Sequence, residues 1–137
     1  MGSEMCIRDR VTSLSGIKSY RDLRVWQEAM ILAEDCYRFT KDLPRDELFG
    51  FTSQIRRAAV SLPANVAEGY RRDSKGSYLN FLKIAQGSLK ELETHLILAQ
   101  RLKLGRFELA EQLLGRCDTI GRMLFGLIRN VQNSAEA

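Results

Sequence analysis

The stretch SLPANVAEGYRR, Ser61 to Arg72, has the spacing of the middle and end of a helix, yet a proline stands in its interior. Proline there removes one ladder hydrogen bond and presses its ring against the carbonyl four residues back, that of Ala59, at a cost of ~3 kcal/mol unless something compensates. Asn65 and Glu68 follow within two turns, and Gly69 then offers a residue free to adopt positive φ as a helix stop. Extended outward on a 100° wheel, Leu48, Phe51, Ile55, Ala58, Leu62, Val66 and Gly69 form one apolar face. Phe49, Val60, Pro63 and Ala67, with Arg56 among them, form a second. Gln54, Arg57, Ser61, Asn65, Glu68 and Arg72 share a polar stripe between the two. A helix that is apolar on two sides has neighbours on two sides, and in a small domain the second neighbour is another subunit. The pattern predicts a helix from Asp46 to about Tyr70, bent at Pro63 where the core meets a subunit interface made by Phe49, Arg56, Val60, Pro63 and Ala67.

The 137 residues suffice for one domain, which buries roughly two thirds of the surface its unfolded chain exposes. Only two prolines, Pro44 and Pro63, interrupt the chain, which favours long helices over many short strands. No apolar run reaches the ~20 residues of a membrane span, and residues 1–10 lack the apolar centre of a signal peptide. The expected location is cytoplasmic, with no membrane partner. Cys6, Cys36 and Cys117 are odd in number and widely spaced, which argues against a disulfide framework and a zinc site. Cys36 and Cys117 read as small core residues.

MGSEMCIRDR has no periodicity and resembles a cloning leader, so residues 1–19 are set aside as a flexible or non-native lead-in. From Tyr20 to about Leu43, Leu23, Trp26, Met30, Ala33 and Tyr37 recur at helical steps and define the inward face of helix one. Leu43-Pro44-Arg45-Asp46 is a tight connection in which Asp46 caps helix two. Arg71 to Gly76 is a polar turn with Asp73 or Ser74 as the next cap. Helix three, ending near Leu102, turns Tyr78, Leu82, Ala85, Leu89, Leu92, Leu96 and Ala99 inward. Helix four, Phe107 to about Val131, buries Leu113, Leu114, Cys117, Ile120, Leu124, Leu127 and Ile128. Gly115, Gly121 and Gly126 each cost close to 1 kcal/mol of helix propensity, which predicts close backbone approach at these positions. Residues 133–137 fray. The fold class is therefore all-α, an up-and-down antiparallel four-helix bundle over residues 20–132.

A di-iron site in such a bundle needs Glu-x-x-His on two helices, whereas His95 is the sole histidine and its neighbours Glu91 and Glu93 are misplaced for it. No metal or other cofactor is expected. His95 reads as structural, with an i,i+4 hydrogen bond to Glu91 as its candidate partner. No phosphate loop, nucleophile elbow or histidine-paired nucleophile supports catalysis, so no catalytic residue is assigned. Asn65 and Glu68 read as structural polar residues. Asn65 bonds the carbonyl freed by Pro63 or a facing helix, and Glu68 pairs with Arg72 or with an arginine of another helix. The net charge is +4, and residues 74–104 carry five Lys/Arg against two acids while residues 11–43 and 105–137 each balance to zero. Lys83, Lys90 and Arg101 follow one line on helix three. With Arg57, Arg71, Arg72 and Lys75 they form the candidate surface for RNA or DNA phosphates.

SYRDLRVWQEAM (Ser19–Met30), FTSQIRRAAVSLPANVAEGYRR (Phe51–Arg72), FLKIAQGSLKELETHL (Phe81–Leu96) and IGRMLFGLI (Ile120–Ile128) together resemble the bacterial 23S rRNA intervening sequence proteins. SLPANVAEG is the most specific part. The resemblance implies an up-and-down bundle that assembles as a homopentamer. That family is in turn similar to the accessory variability determinant of diversity-generating retroelements, a basic pentameric barrel that binds nucleic acid and partners a reverse transcriptase. The present chain is less basic than that relative. The expectation is a non-enzymatic oligomer that binds RNA or DNA; an oligomeric scaffold for another protein, such as a reverse transcriptase, is the alternative.

Overall fold

Where the sequence alternates apolar and charged residues at helical steps, the backbone forms four long helices: α1 (Arg24–Lys41), α2 (Ser53–Tyr70), α3 (Lys75–Arg101) and α4 (Phe107–Gln132). The structure is a computed structural model that describes residues 16–134. The leader-like residues 1–10 and the last three residues lie outside that range. Ahead of α1, Ser19 caps a single 3-10 turn, Tyr20–Asp22, while the Asp22 carboxylate accepts from the backbone of Lys18 and Ser19.

Partner positions along neighbouring helices run in opposite directions. Arg57 meets Glu91 at 3.1 Å, the Ser61 and Ser88 hydroxyls are 2.8 Å apart, and Gly69 backs onto Tyr78 and Phe81. Arg56 of α2 donates to Thr40 of α1, Gln100 of α3 to Glu111 of α4, and Arg116 of α4 reaches Asp35 of α1 at 3.4 Å. Each helix thus packs on its neighbours in sequence and α4 closes onto α1, giving the antiparallel bundle that the periodicity predicts. Ser74, one of the two residues proposed for the cap of α3, accepts from the Ser77 amide. The inward residues expected of α3 are all buried, as are Leu113, Cys117, Ile120, Leu124 and Ile128 of α4.

The second helical segment departs from its sequence reading at the start. Residues Arg45–Glu47 make a 3-10 turn and Leu48–Thr52 a wide π turn, broken at Gly50 (φ −107°, ψ −109°). Glu47, not Asp46, supplies the capping carboxylate, accepting from the Phe51 amide at 3.2 Å. The break shifts the helical phase, so Leu48, expected inside, is exposed, and Phe49 beside it is 90% exposed. From Ser53 onward the backbone stays α-helical through Pro63 to Tyr70, so the departure from helical dihedrals in this segment lies at Gly50.

Three further expectations are corrected. In α1 the deeply buried face is Val25, Ala29, Leu32, Cys36 and Phe39, while Met30 and Tyr37 are more than a third exposed. Two apolar stripes share that helix, and the wheel alone does not say which one the bundle covers. Gly115 and Gly126 sit against open space, and a Cβ on Gly121 would meet only Leu89 at an ordinary 3.5 Å, so none marks close helix approach. Gly69 is no positive-φ stop. It lies within α2, where a Cβ would come to 2.9 Å from the Phe81 Cβ. Positive φ is needed instead after α3, at Lys103 (φ 58°) and Gly105 (φ 73°), where a Cβ on Gly105 would come to 2.8 Å from the Phe39 ring.

Candidate functional site

Lys83 and Lys90, two turns apart on α3, stand on the border of a groove of about 730 Å³ between α3 and α4. Its other side is formed by Cys117, Asp118, Gly121, Arg122 and Phe125 of α4. Lys90 pairs with Glu93 at 3.1 Å and Arg122 with Asp118 at 2.9 Å. Lys83 makes no ion pair among the described residues. These are exposed contacts between flexible groups, weak enough to exchange for another anion. Beneath the groove, burial raises the Cys117 thiol pKa to about 12, with Glu93 adding to the shift and Lys90 opposing it. Burial likewise raises the Cys36 thiol, helped by the neighbouring Cys117 and Asp35.

The remaining predicted cations do not join this groove. Arg57 is held between Gln54 and Glu91, and Arg101 stands exposed in the last turn of α3. At the far end of α2, Arg71 and Arg72 both reach the Glu68 carboxylate at 2.8 Å, and the Arg72 guanidinium lies 4.7 Å from the centroid of the Phe81 ring. The Arg71 hydrogen bond, then the charges of Arg71 and Arg72, hold the Glu68 carboxyl below its ordinary range against an opposing effect of burial. Lys75 donates to the Ser134 carbonyl, joining the start of α3 to the end of α4.

Asn65 donates to the Ser61 carbonyl (2.8 Å) and hydroxyl (3.0 Å), and that hydroxyl meets Ser88 on α3. The polar stripe beside Pro63 therefore ties α2 to α3, with Asn65 on its own helix rather than on the carbonyl of Ala59. His95 does not make the hydrogen bond to Glu91 expected of it: its Nε2 is 3.7 Å away, because Glu91 turns to Arg57. The imidazole packs edge-on to Phe51 instead. Among the described residues no three His, Cys, Asp or Glu gather as metal ligands, and no helix is long and apolar enough to cross a membrane.

The second apolar face of α2 opens on the other side of the bundle, into two adjoining hollows between α1 and α2 that share Tyr37 and Val60. Phe49 and Val60 are exposed there, Pro63 is buried in the wall, and Ala67 is half-buried. Arg56 is spent within the chain, stacked 4.4 Å over the Tyr37 ring and bonded to Thr40. Met30 and Ala33 of α1 extend the strip.

The sequence profile of the 23S rRNA-intervening sequence proteins matches residues 21–126. The chain belongs to this family. Among solved structures it is similar to a protein of unknown function from the S23 ribosomal protein family of Bacteroides thetaiotaomicron, with 25% identity and a TM-score of 0.71 over 77% of this chain and 98% of that one. No curated protein matches the chain. Within this intervening sequence protein, Arg122 and Phe125 are the groove residues that the charge reading missed. The signal was there: Asp118, Arg122, Phe125 and Arg129 recur at steps of four, three and four along one exposed flank of α4.

Proposed function

We propose that this protein acts by binding rather than catalysis, as a homo-oligomer that holds RNA or DNA along its α3–α4 groove. The observation that carries the reading is the convergence of Lys83, Lys90 and Arg122 on one open groove. Cations so placed replace condensed counterions along a phosphate backbone, and the released counterions supply the affinity. Self-association uses the α1–α2 strip, because contiguous exposed apolar side chains such as Phe49, Val60, Met30 and Tyr37 are the mark of an interaction surface. That strip is on the opposite side of the bundle, so a closed ring, with five copies as the number that the family resemblance implies, leaves the groove accessible. Symmetry then multiplies a modest +4 per chain into a substantial field.

Fluorescence anisotropy with a labelled pool of RNA and DNA tests the binding. Affinity should fall on the order of tenfold or more between 50 and 200 mM salt, and the double reversal Lys83→Glu, Lys90→Glu should weaken it further. No binding at low salt overturns the nucleic-acid reading. Light scattering on Val60→Glu tests the assembly, and a wild-type protein that is strictly monomeric at micromolar concentration overturns that part. The same α1–α2 strip favours a second reading, in which it receives a different protein. A reverse transcriptase is the partner to try first, by co-purification with the wild type and with Val60→Glu.

A further inference from the structure

Of the two phenylalanines that α4 leaves more than half exposed, Phe107 and Phe125, Phe125 is the one that lines the groove. The helix buries Leu113, Ile120 and Leu124, yet leaves this aromatic ring 55% exposed in a groove whose lining also carries the cations Lys83, Lys90 and Arg122 and the acids Glu93 and Asp118. Leaving so large an apolar side chain in water forgoes the stabilisation of burial. The space beside it is also unfilled: a Cβ on Gly87 would meet nothing within 4 Å, and one on Gly121 only the edge of Leu89. The guanidinium of Arg129 stands 5.7 Å from the ring centroid, a cation next to an aromatic face. Lys83 and Lys90 lie ~10 Å apart along α3 at 1.5 Å per residue, with Arg122 across the groove.

We propose that the groove takes a single strand, with one base stacked on Phe125 and the neighbouring phosphates held by Lys83, Lys90 and Arg122. This rests on the nucleic-acid reading above and adds the class of strand to it. A positively charged channel with an interleaved aromatic is the arrangement that binds single strands, because the channel follows the backbone and every base offers a flat face. A duplex supplies phosphates but keeps its base faces inside the stack, so it leaves Phe125 without a partner. An acidic peptide would satisfy the three cations and likewise ignore the ring. Arg122 and Lys90 give up their surface pairs with Asp118 and Glu93 as phosphate arrives.

The test compares a fluorescent oligothymidylate of about fifteen nucleotides with an abasic strand of the same length and charge, at one low salt concentration. The wild type should bind the base-bearing strand roughly fivefold or more tightly, the lower end of what one stacked base contributes. Phe125→Ala should abolish that difference, lowering the affinity for the base-bearing strand to that for the abasic one. Phe125→Leu keeps an apolar side chain of similar reach and so separates stacking from simple contact; it should behave like the alanine variant. Equal wild-type affinity for both strands, or a leucine variant that retains the preference, overturns the base slot and leaves phosphate binding standing. Failure of the wild type to bind either strand overturns both.

Discussion

Replacing Gly69 by alanine should destabilise this bundle, and replacing Gly115 or Gly126 should do the reverse. Alanine is the better helix former by about 1 kcal/mol, so every helical glycine has that much to gain if the new methyl finds room. At Gly115 and Gly126 nothing lies within 4 Å of the ideal Cβ, and the gain should be realised nearly in full. At Gly69 the Cβ would stand 2.9 Å from the Phe81 Cβ, 3.2 Å from the Tyr78 ring and 3.3 Å from the Tyr78 carbonyl oxygen. The Phe81 Cβ and the Tyr78 carbonyl are fixed to the backbone of α3, so no side chain can swing aside and the two helices must part. Overpacking of that kind costs about 1–3 kcal/mol, which against the propensity gain leaves a net loss of up to about 2 kcal/mol. Urea unfolding followed at 222 nm measures each variant, at one protein concentration because the proposed assembly would make the midpoint concentration-dependent. The reasoning fails if Gly69→Ala matches or exceeds the wild type, or if Gly115→Ala costs as much as Gly69→Ala.

Other expectations follow from local chemistry. Both described thiols should be inert towards a disulfide reagent at pH 8, with Cys117 raised to about 12 and Cys36 raised further by burial, and should react only as urea unfolds the chain; rapid labelling of the native protein would contradict that. The depressed Glu68 carboxyl adds stability that is complete above the unfolded-state pKa and disappears as pH falls through the folded one, so acid titration should destabilise the wild type more than Glu68→Gln, and a parallel pair of curves refutes the linkage. Lys103→Gly should stabilise by roughly 0.5–1 kcal/mol, since lysine there holds a left-handed φ of 58° that glycine adopts freely; a loss in thermal midpoint would contradict it.

The helices were legible because their cores are written at one unbroken period. Tyr78 to Ala99 on α3 alternates by three and four without exception, and every member is buried. Reading failed where two signals overlapped or where the phase slipped. On α1, Met30 and Tyr37 belong to a periodic apolar stripe as regular as the buried one, and only the positions of α2 and α4 decide which stripe is covered. On the second segment, Gly50 and the wide turn around it displace Leu48 by a fraction of a turn, and no wheel drawn from Ile55 backward anticipates that. The charge reading named Lys83 and Lys90 from their line on one helix. It scattered its other choices because ion pairing is a property of neighbours across helices: Arg57 is occupied by Glu91, thirty-four positions away. Arg122 and Phe125 repeat along one flank of α4 in the sequence, but only α3 beside them makes that flank the side of a groove.

Pro63 ties these levels together. A proline in an isolated helix would weaken it through the amide it lacks and the carbonyl of Ala59 it crowds. Here the helix is held on both flanks of that position. On one, Asn65 bonds Ser61 and Ser61 meets Ser88, fastening α2 to α3 within a turn of the proline. On the other, the ring itself is buried in the wall of the α1–α2 hollow beside Val60, Ala33 and Met30. A residue that cannot donate a hydrogen bond leaves no buried donor unpaired in that apolar wall. Pro63 thus lies towards the α1–α2 hollow proposed above for assembly, while the polar stripe faces α3, whose far edge carries Lys83 and Lys90. If the proposed assembly and binding hold, they use opposite sides of the α2–α3 pair, and a substitution at Val60 should disturb assembly without touching the groove, as one at Phe125 should do the reverse.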